Sequence, residues 1–375
     1  MPGLRPDVDP DGLLEYSVVY TDRALNHMSK KFQNVMNDIS SILKRTYGAR
    51  SAVLVPGGGS FGMEAVARQF ATGKKCLVIR NGWFSYRWTQ IFDAGRIPAE
   101  SVVLKARRLE AGAQAAFSPP PIEEVVAAIQ AHRPDLVFAA HVETASGIML
   151  PDAYLQAVGA AVRAVGGMFV LDCVASGAVW VDMPSCAVDI LLSAPQKGWS
   201  GPSSTGLVML GERARAAIDG TESSSFAINL KRWLQIMETY EGGGHAYHAT
   251  MPTDALAKLR DVMQEAELHG LPTLKSAQLE LGQKVRTMLA QKGYRSVAAP
   301  GFEAPGVVVC YTEDAELQSG KKMLAQGLQI AAGVPLECDE GPDFRTFRVG
   351  LFGLDKLSDV DASVGRLKQG FAAIS

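Results

Sequence analysis

The chain has 375 residues, of which 47% are hydrophobic and 20% are charged. This composition is enough for one long domain or two of ordinary size, and it excludes wholesale disorder. The 37 basic residues nearly balance the 39 acidic ones, giving a net charge of −2, so the sequence lacks the excess of basic residues that a general nucleic-acid surface needs.

The cysteines and the apolar runs predict the compartment. The five cysteines are widely spaced and include no C-x-x-C pair, which fits a reducing cytosol better than a disulfide framework or a zinc site. The first ten residues have no apolar core of the kind found in a signal peptide. No apolar run approaches the roughly 20 residues that span a bilayer. We therefore expect a cytoplasmic protein with no metal site, no membrane contact and no nucleic-acid partner.

Apolar runs of strand length recur through the first two thirds of the chain, with helical patterns between them. Such runs are typical of parallel strands buried on both faces, and their spacing suits crossover connections. The predicted strands are 52–56, 76–80, 101–104, 136–141, 168–172, 190–193 and 206–210, and the predicted helices include 64–71, 122–131 and 153–165. This order predicts an α/β domain built around a mostly parallel, seven-stranded sheet between helices.

The pattern changes after about residue 265. A predicted amphipathic helix at 276–292 is followed by a strand at 306–311, a helix at 315–326, a strand near 347–351 and a last helix at 360–373. This arrangement predicts a smaller C-terminal α+β domain. We therefore divide the chain into an N-terminal segment (1–25), a large domain (26–265) and a small domain (266–375).

A glycine-rich loop, PGGGSFGME at residues 56–64, lies between the first predicted strand and the first predicted helix. Glycines allow close approach to a ligand, and the N-terminus of the following helix offers free N–H groups to a phosphate. Gly57, Gly59 and Gly62 also satisfy the G-x-G-x-x-G fingerprint of dinucleotide-binding proteins. The acidic residue expected about 20 positions later is missing, however, and that region contains Arg80. By itself the loop indicates a phosphate site or a tight turn without a ligand.

Two polar side chains lie at or just beyond the ends of predicted strands farther along the chain. Asp172 ends the strand at 168–172, where open α/β sheets bind ligands, although an aspartate there is often only a turn residue. Lys197 follows the strand at 190–193, and a lysine near a strand end in a cleft is a candidate for Schiff-base chemistry. A phosphate loop, an aspartate and a lysine together match the phosphate, ring nitrogen and aldehyde of pyridoxal 5'-phosphate (PLP).

With these segments in this order, the sequence resembles the class V aminotransferases of the PLP fold-type I superfamily, most closely the alanine–glyoxylate and serine–glyoxylate (serine–pyruvate) group. The resemblance covers nearly the whole chain and includes NGWFSYR at 81–87, HVETASG at 141–147, YHATMP at 247–252 and TFRVG at 346–350. It implies a PLP-dependent transaminase that moves an amino group from an alanine- or serine-type amino acid to a small 2-oxo acid such as glyoxylate or pyruvate.

The resemblance also implies a role for each matched residue. Lys197 would form the Schiff base and then act as the base, Asp172 would pair with the ring nitrogen, and Arg348 would bind the substrate carboxylate. The other cofactor-binding residues would be Gly59, Ser60, Phe61, Phe84, Thr144, Val174, Gln196, Tyr247 and Thr250. Tyr247 and Thr250 would reach the phosphate of the neighbouring subunit, so we expect a homodimer with composite active sites.

The sequence departs from the family pattern in three places. Ser60 stands where relatives often have threonine or histidine, and Ala145 replaces a small polar residue. The Gly-Pro-rich loop that helps to line the substrate pocket in the family is replaced by VVYTDR at 18–23. The last difference bears on the choice of substrate.

Four other interpretations stay open. An aminoethylphosphonate transaminase would need a phosphonate site, and a lyase or cysteine desulfurase would add an acid or a thiol. An NADP-dependent Rossmann oxidoreductase would use the glycine loop and Arg80, and a non-catalytic binding protein is the fourth. We interpret His141 as a structural residue at a strand end and Cys338, the thiol nearest to Arg348 in the sequence, as unreactive.

Overall fold

The predicted strands are present in the computed structural model, which describes residues 13–374. The first twelve residues of the predicted N-terminal segment lie outside that range. The helices are α1 Lys30–Tyr47, α2 Gly59–Phe70, α3 Trp83–Gly95, α4 Ile122–His132, α5 Asp152–Ala164, α6 Glu212–Ile218, α7 Leu230–Glu241, α8 Thr253–His269, α9 Leu271–Gln291, α10 Ala315–Gln318, α11 Lys321–Leu324, α12 Leu354–Leu357 and α13 Val360–Ala373.

The strands form one large sheet and three small ones. They are β1 Ser51–Pro56, β2 Lys75–Arg80, β3 Glu100–Lys105, β4 Arg107–Arg108, β5 Phe117–Ser118, β6 Leu136–Ala140, β7 Val142–Glu143, β8 Ile148–Met149, β9 Met168–Asp172, β10 Ile190–Ser193, β11 Thr205–Leu210, β12 Val307–Tyr311, β13 Ala331–Ala332 and β14 Thr346–Gly350. The large sheet has seven strands in the order β1-β11-β10-β9-β6-β2-β3. Only β11 runs antiparallel to its neighbours in this sheet. The predicted mostly parallel, seven-stranded sheet is therefore confirmed.

The two ends of α1 are set by local capping residues. In α1, the Ser29 side chain accepts a hydrogen bond from the N–H of Phe32, and Gly48 ends the helix in the left-handed conformation with φ +65°. A Cβ at Gly48 would lie 2.8 Å from Cδ of Pro184, so both backbone conformation and packing favour glycine there. α2 begins five residues earlier than predicted, because its first turn is formed by part of the glycine-rich loop itself.

The C-terminal region contains the predicted strands and final helix, with one difference. The helix predicted at 315–326 is broken into α10 and α11. Gly320 lies between them in the left-handed conformation, with φ +80°, and this conformation interrupts the helical path. The division of the chain at residue 265 stays a prediction, since α8 runs through that position and ends at His269.

A separate hydrophobic cluster joins the three-stranded sheet of β12, β13 and β14 to the segment that follows β6 of the large sheet. In it, Val307 and Val309 of β12 pack with Val142, Ala145 and Ile148, which follow the carboxyl end of β6. β14 pairs with β12 in antiparallel register. This packing therefore carries β14, and with it Arg348, to the edge of the large sheet where the predicted site residues lie.

Two further observations concern the expected compartment. Within residues 13–374, no helix is long and apolar enough to cross a membrane. The five cysteines are all free and all buried.

Candidate active site

A cavity of about 240 Å³ opens where β9 and β10 end and α2 begins. It is lined by Gly59, Ser60, Met63, Phe84, Arg87, Val142, Thr144, Asp172, Val174, Ala175, Gln196 and Lys197. Many of the residues predicted from the sequence are thus brought to one place. Phe61, Tyr247, Thr250 and Arg348 are not among those that line it.

The first turn of α2 forms one wall of the cavity. No side chain caps this helix. The N–H groups of Phe61 and Gly62 donate to the carbonyl oxygen of Gly58, so the N–H groups of Gly59 and Ser60 are the ones of this turn available to an anion. The helix lies close against β11, since a Cβ at Gly206 would lie 2.8 Å from the Cα of Gly62. A Cβ at Gly59 would lie 2.9 Å from a methyl carbon of Val174. Because these glycines have no side chain, the start of the helix can lie directly against the strand ends.

Asp172 is the buried carboxylate of the cavity. It ends β9 with only 6% of its surface exposed, and its Oδ1 accepts a hydrogen bond of 2.8 Å from the N–H of Val174. Burial raises the pKa of Asp172 to about 6, and the nearby Glu143 adds to the rise, while the hydrogen bond from Val174 and the positive charges of Arg87 and Lys197 oppose it. A positively charged partner that excludes water from the cavity would stabilise the ionised form of this carboxylate.

Lys197 also lines the cavity. It lies in the turn after β10 and is half-buried. Burial lowers the pKa of its amine, and the positive charge of Arg348 lowers it further. A lowered pKa leaves more of the amine neutral and able to attack an aldehyde. The turn is tightly packed, because a Cβ at Gly198 would lie 2.1 Å from the carbonyl oxygen of Gly177. The position of Lys197 is therefore set by backbone packing.

Glu143 holds the backbone of the segment that carries Phe84. Its side chain is fully buried and accepts hydrogen bonds from the N–H groups of Phe84, Ser85 and Ala145 and from the Ser85 hydroxyl. These bonds place a carboxylate at the N-terminus of α3, where the helix dipole favours negative charge. The same carboxylate thus joins the segment that carries Phe84 to the segment that carries Thr144.

Arg348 lies on β14 of the three-stranded sheet and reaches the rim of the cavity from there. Its Nε donates a hydrogen bond of 2.7 Å to the carbonyl oxygen of Ala332, and its Nη1 lies 3.5 Å from that of Thr144. Its Cζ atom is 5.7 Å from the centre of the Phe84 ring. Burial lowers the pKa of this guanidinium, and Glu143 opposes the shift. Within residues 13–374, the hydrogen bonds of Arg348 go to backbone carbonyl oxygens.

Three residues predicted to bind the cofactor lie away from the cavity lining. Phe61 is 51% exposed, and its ring lies against Gly57, where a Cβ would be 2.4 Å from the ring. Tyr247 is also 51% exposed, and its hydroxyl lies 3.1 Å from that of the exposed Thr250. The roles of all three stay predictions.

Sequence reasoning assigned no role to several residues that the structure brings to the site. Met63, Arg87, Val142 and Ala175 line the cavity, and Glu143 lies directly behind Phe84. Three of them, Arg87, Val142 and Glu143, stand in the segments 81–87 and 141–147 that carry the resemblance, and two of these three are charged. A charged residue next to a predicted cofactor-binding residue is the signal that could have found them.

His141 and Cys338 have the environments of structural residues. His141 is buried with its Nδ1 2.7 Å from the Ser176 hydroxyl, and burial lowers its pKa to about 4. Cys338 is buried, and its thiol lies 3.5 Å from the carbonyl oxygen of Arg80. Burial raises the pKa of that thiol to about 12, so it is not a reactive thiolate.

Comparison with known proteins identifies the family. The family model for class V aminotransferases matches residues 13–342. The chain belongs to the class V aminotransferase family. It is 22% identical over 92% of its length to the small subunit of a soluble hydrogenase from Synechococcus sp., covering 86% of that protein. It is 26% identical over 66% of its length to alanine–glyoxylate aminotransferase 1 from Saccharomyces cerevisiae, covering 66% of that protein.

Solved structures share the fold of this class V aminotransferase. Ureidoglycine–glyoxylate aminotransferase from Bacillus subtilis superposes with a TM-score of 0.79 at 22% identity, covering 96% of this chain and 87% of that one. The chain thus has the PLP fold-type I architecture. It is a PLP-dependent transaminase.

The cavity of this class V aminotransferase fits the cofactor. The uncapped first turn of α2 suits a phosphate, and the buried carboxylate of Asp172 suits a protonated ring nitrogen. The half-buried amine of Lys197 suits an aldehyde. When bound, PLP supplies that aldehyde and a ring that accepts electrons.

Proposed function

We propose that this transaminase moves an amino group from a small amino acid of the alanine or serine type to a small 2-oxo acid such as glyoxylate or pyruvate. Lys197 would hold the cofactor through its amine; once the amino group of the substrate has displaced this amine, the freed Nζ would carry the proton away from the α-carbon of the substrate. Asp172 would keep the ring nitrogen protonated, and Phe84 would stack on the ring. The first turn of α2, Ser60 and Gln196 would hold the phosphate, and Thr144 would contact the ring.

The observation that carries this proposal is the cation at the rim of the cavity. The guanidinium of Arg348 is partly buried next to Phe84 and, within the described residues, bonds to backbone carbonyl oxygens rather than to a carboxylate. Its free edge can bind the α-carboxylate of a substrate through two parallel hydrogen bonds. A substrate held there presents its α-carbon on the side of the cavity where Lys197 lies.

The proposal includes a homodimer in the cytoplasm. Tyr247 and Thr250 would complete the phosphate site of the neighbouring subunit, which their exposed hydroxyls, close to each other, support. The burial of the free cysteines supports a reducing compartment.

The alternatives are less well supported by the side chains around the site. A cysteine desulfurase needs a reactive thiol, whereas the thiol of Cys338 has a pKa raised to about 12 by burial. An NADP-dependent enzyme would need the guanidinium of Arg80, which instead bonds to Thr89 and to the carbonyl oxygen of Glu337. An aminoethylphosphonate transaminase would need a site for a phosphonate instead of a carboxylate, and the assay below distinguishes the two donors.

The test follows the near-visible absorbance of the purified protein, which should bleach on reduction with borohydride. Alanine, serine, aspartate and 2-aminoethylphosphonate are then added one at a time, with and without glyoxylate or pyruvate. The proposal predicts the fastest bleaching with alanine or serine, and recovery of the absorbance with glyoxylate or pyruvate. Fastest bleaching with aspartate or 2-aminoethylphosphonate would contradict the proposed donor. An Arg348→Gln variant should raise KM for the donor much more than the Kd for the cofactor.

A further inference from the structure

Arg87 is a cation of the cavity to which the matched segments assign no role. It stands on α3 three residues after Phe84, and its half-buried side chain lies beside the first turn of α2. Its Nη1 donates a hydrogen bond of 2.9 Å to the Oγ atom of Ser60. Its Cζ atom lies 5.1 Å from the centre of the Phe84 ring. The guanidinium therefore connects the proposed ring-stacking residue with the start of α2.

Most of the hydrogen-bonding capacity of Arg87 is unused by the described part of the chain. A guanidinium has five N–H donors, and within residues 13–374 the hydrogen bond of Arg87 goes to Ser60. The cavity brings Arg87, Lys197 and the nearby Arg348 together with two carboxylates, Asp172 in its lining and the buried Glu143 next to Phe84. This excess of positive charge, beside an uncapped helix start, fits an anion with several oxygens.

We propose that Arg87 binds the phosphate of the cofactor together with Ser60 and the first turn of α2. This inference rests on the proposed placement of the cofactor in the cavity. Because the Ser60 oxygen accepts the hydrogen bond from Arg87, its own proton is left to donate. The two donors are close enough to contact neighbouring oxygens of one phosphate. Contact with the start of α2, rather than with Arg348, favours the phosphate over a distal carboxylate of the substrate.

The experiment compares PLP with pyridoxal, which has the same aldehyde and ring but no phosphate. Cofactor-free wild type, Arg87→Gln and Arg87→Lys are titrated with each compound by absorbance and fluorescence. A lost charge-assisted contact should weaken PLP binding by Arg87→Gln about 10- to 100-fold, with pyridoxal binding unchanged and Arg87→Lys in between. Inorganic phosphate should compete with PLP in the wild type and less in Arg87→Gln. Arg366→Gln, on the exposed face of α13, is the matched control.

Three results would overturn the inference. Equal losses for PLP and pyridoxal would mean that Arg87 only supports Phe84. An unchanged PLP affinity with a raised KM for aspartate would assign Arg87 to a distal carboxylate of the substrate. Unchanged binding of PLP and inorganic phosphate would leave it without a ligand role. If Arg87→Gln fails to fold by circular dichroism, Arg87→Lys carries the test, since it keeps the charge and loses the planar fork.

Failure of the proposed function gives different results. A wild-type protein that binds neither compound would contradict the placement of the cofactor. An unexpected amino donor would contradict only the proposed substrates and would leave the comparison of PLP with pyridoxal intact.

Discussion

Asp172→Asn should make the cofactor-free protein more stable at pH 8 than the wild type. Burial raises the pKa of Asp172 to about 6 from its ordinary value of 3.8, so the folded chain binds this proton more tightly than the unfolded chain. The stability that comes from this proton is fully present below about pH 3.8 and is lost as the pH rises through about 6. At pH 8 the ionised Asp172 therefore costs the cofactor-free fold about 3 kcal/mol at most.

Asparagine removes the charge and keeps an oxygen that can accept the hydrogen bond from Val174. We therefore expect Asp172→Asn to gain up to about 3 kcal/mol at pH 8, with the gain disappearing near pH 4. Urea denaturation of both cofactor-free proteins from pH 4 to 8, at one protein concentration, measures the difference. Asp343→Asn, at an exposed position, is the control. Equal stability of wild type and Asp172→Asn at every pH would refute the reasoning.

With the cofactor bound, the order should reverse. The ionised carboxylate then pairs with a positively charged ring nitrogen, so the wild type should gain more stability from PLP than Asp172→Asn does. The same change should slow proton abstraction by several orders of magnitude while the cofactor stays bound, because a neutral amide cannot keep the ring nitrogen protonated. Near-wild-type turnover of Asp172→Asn in a stopped-flow assay would contradict the role assigned to the carboxylate.

The other predictions concern the lysine, the dimer and the start of α2. Lys197→Ala should abolish transamination, and borohydride trapping with peptide mapping should label Lys197 in the wild type and in the control Lys368→Ala; a label elsewhere would contradict the site. Mixing Lys197→Ala chains with Tyr247→Phe/Thr250→Ala chains should restore activity, approaching one intact site per mixed dimer; mixed dimers no more active than the parents would contradict the composite site. Gly206→Ala should weaken PLP binding, because its Cβ would lie 2.8 Å from the α2 backbone; an unchanged Kd would show that the helix start can shift without loss.

The strands of the large sheet and the order of the segments around the site could be predicted from the amino-acid sequence alone. Strands buried on both faces need continuous apolar runs, and such runs can be read without knowing what they pack against. The positions of Asp172 and Lys197 near strand ends followed from those runs, because the carboxyl ends of parallel strands meet at one edge of a sheet. The break between α10 and α11 depends on one glycine, Gly320, in the left-handed conformation. Helical periodicity alone does not reveal this break.

Which charged side chains contact each other could not be predicted from the sequence and is visible only in the folded chain. Glu143 reaches the start of α3 across 58 residues of sequence, and Arg348 comes within 3.5 Å of the Thr144 carbonyl oxygen across 204 residues. Local propensity contains no information about such contacts. They depend on how the three-stranded sheet packs against the large sheet through the hydrophobic cluster around β12. The pKa values of Asp172 and Lys197 follow from the same packing, since burial is a property of the assembled fold and not of the local sequence.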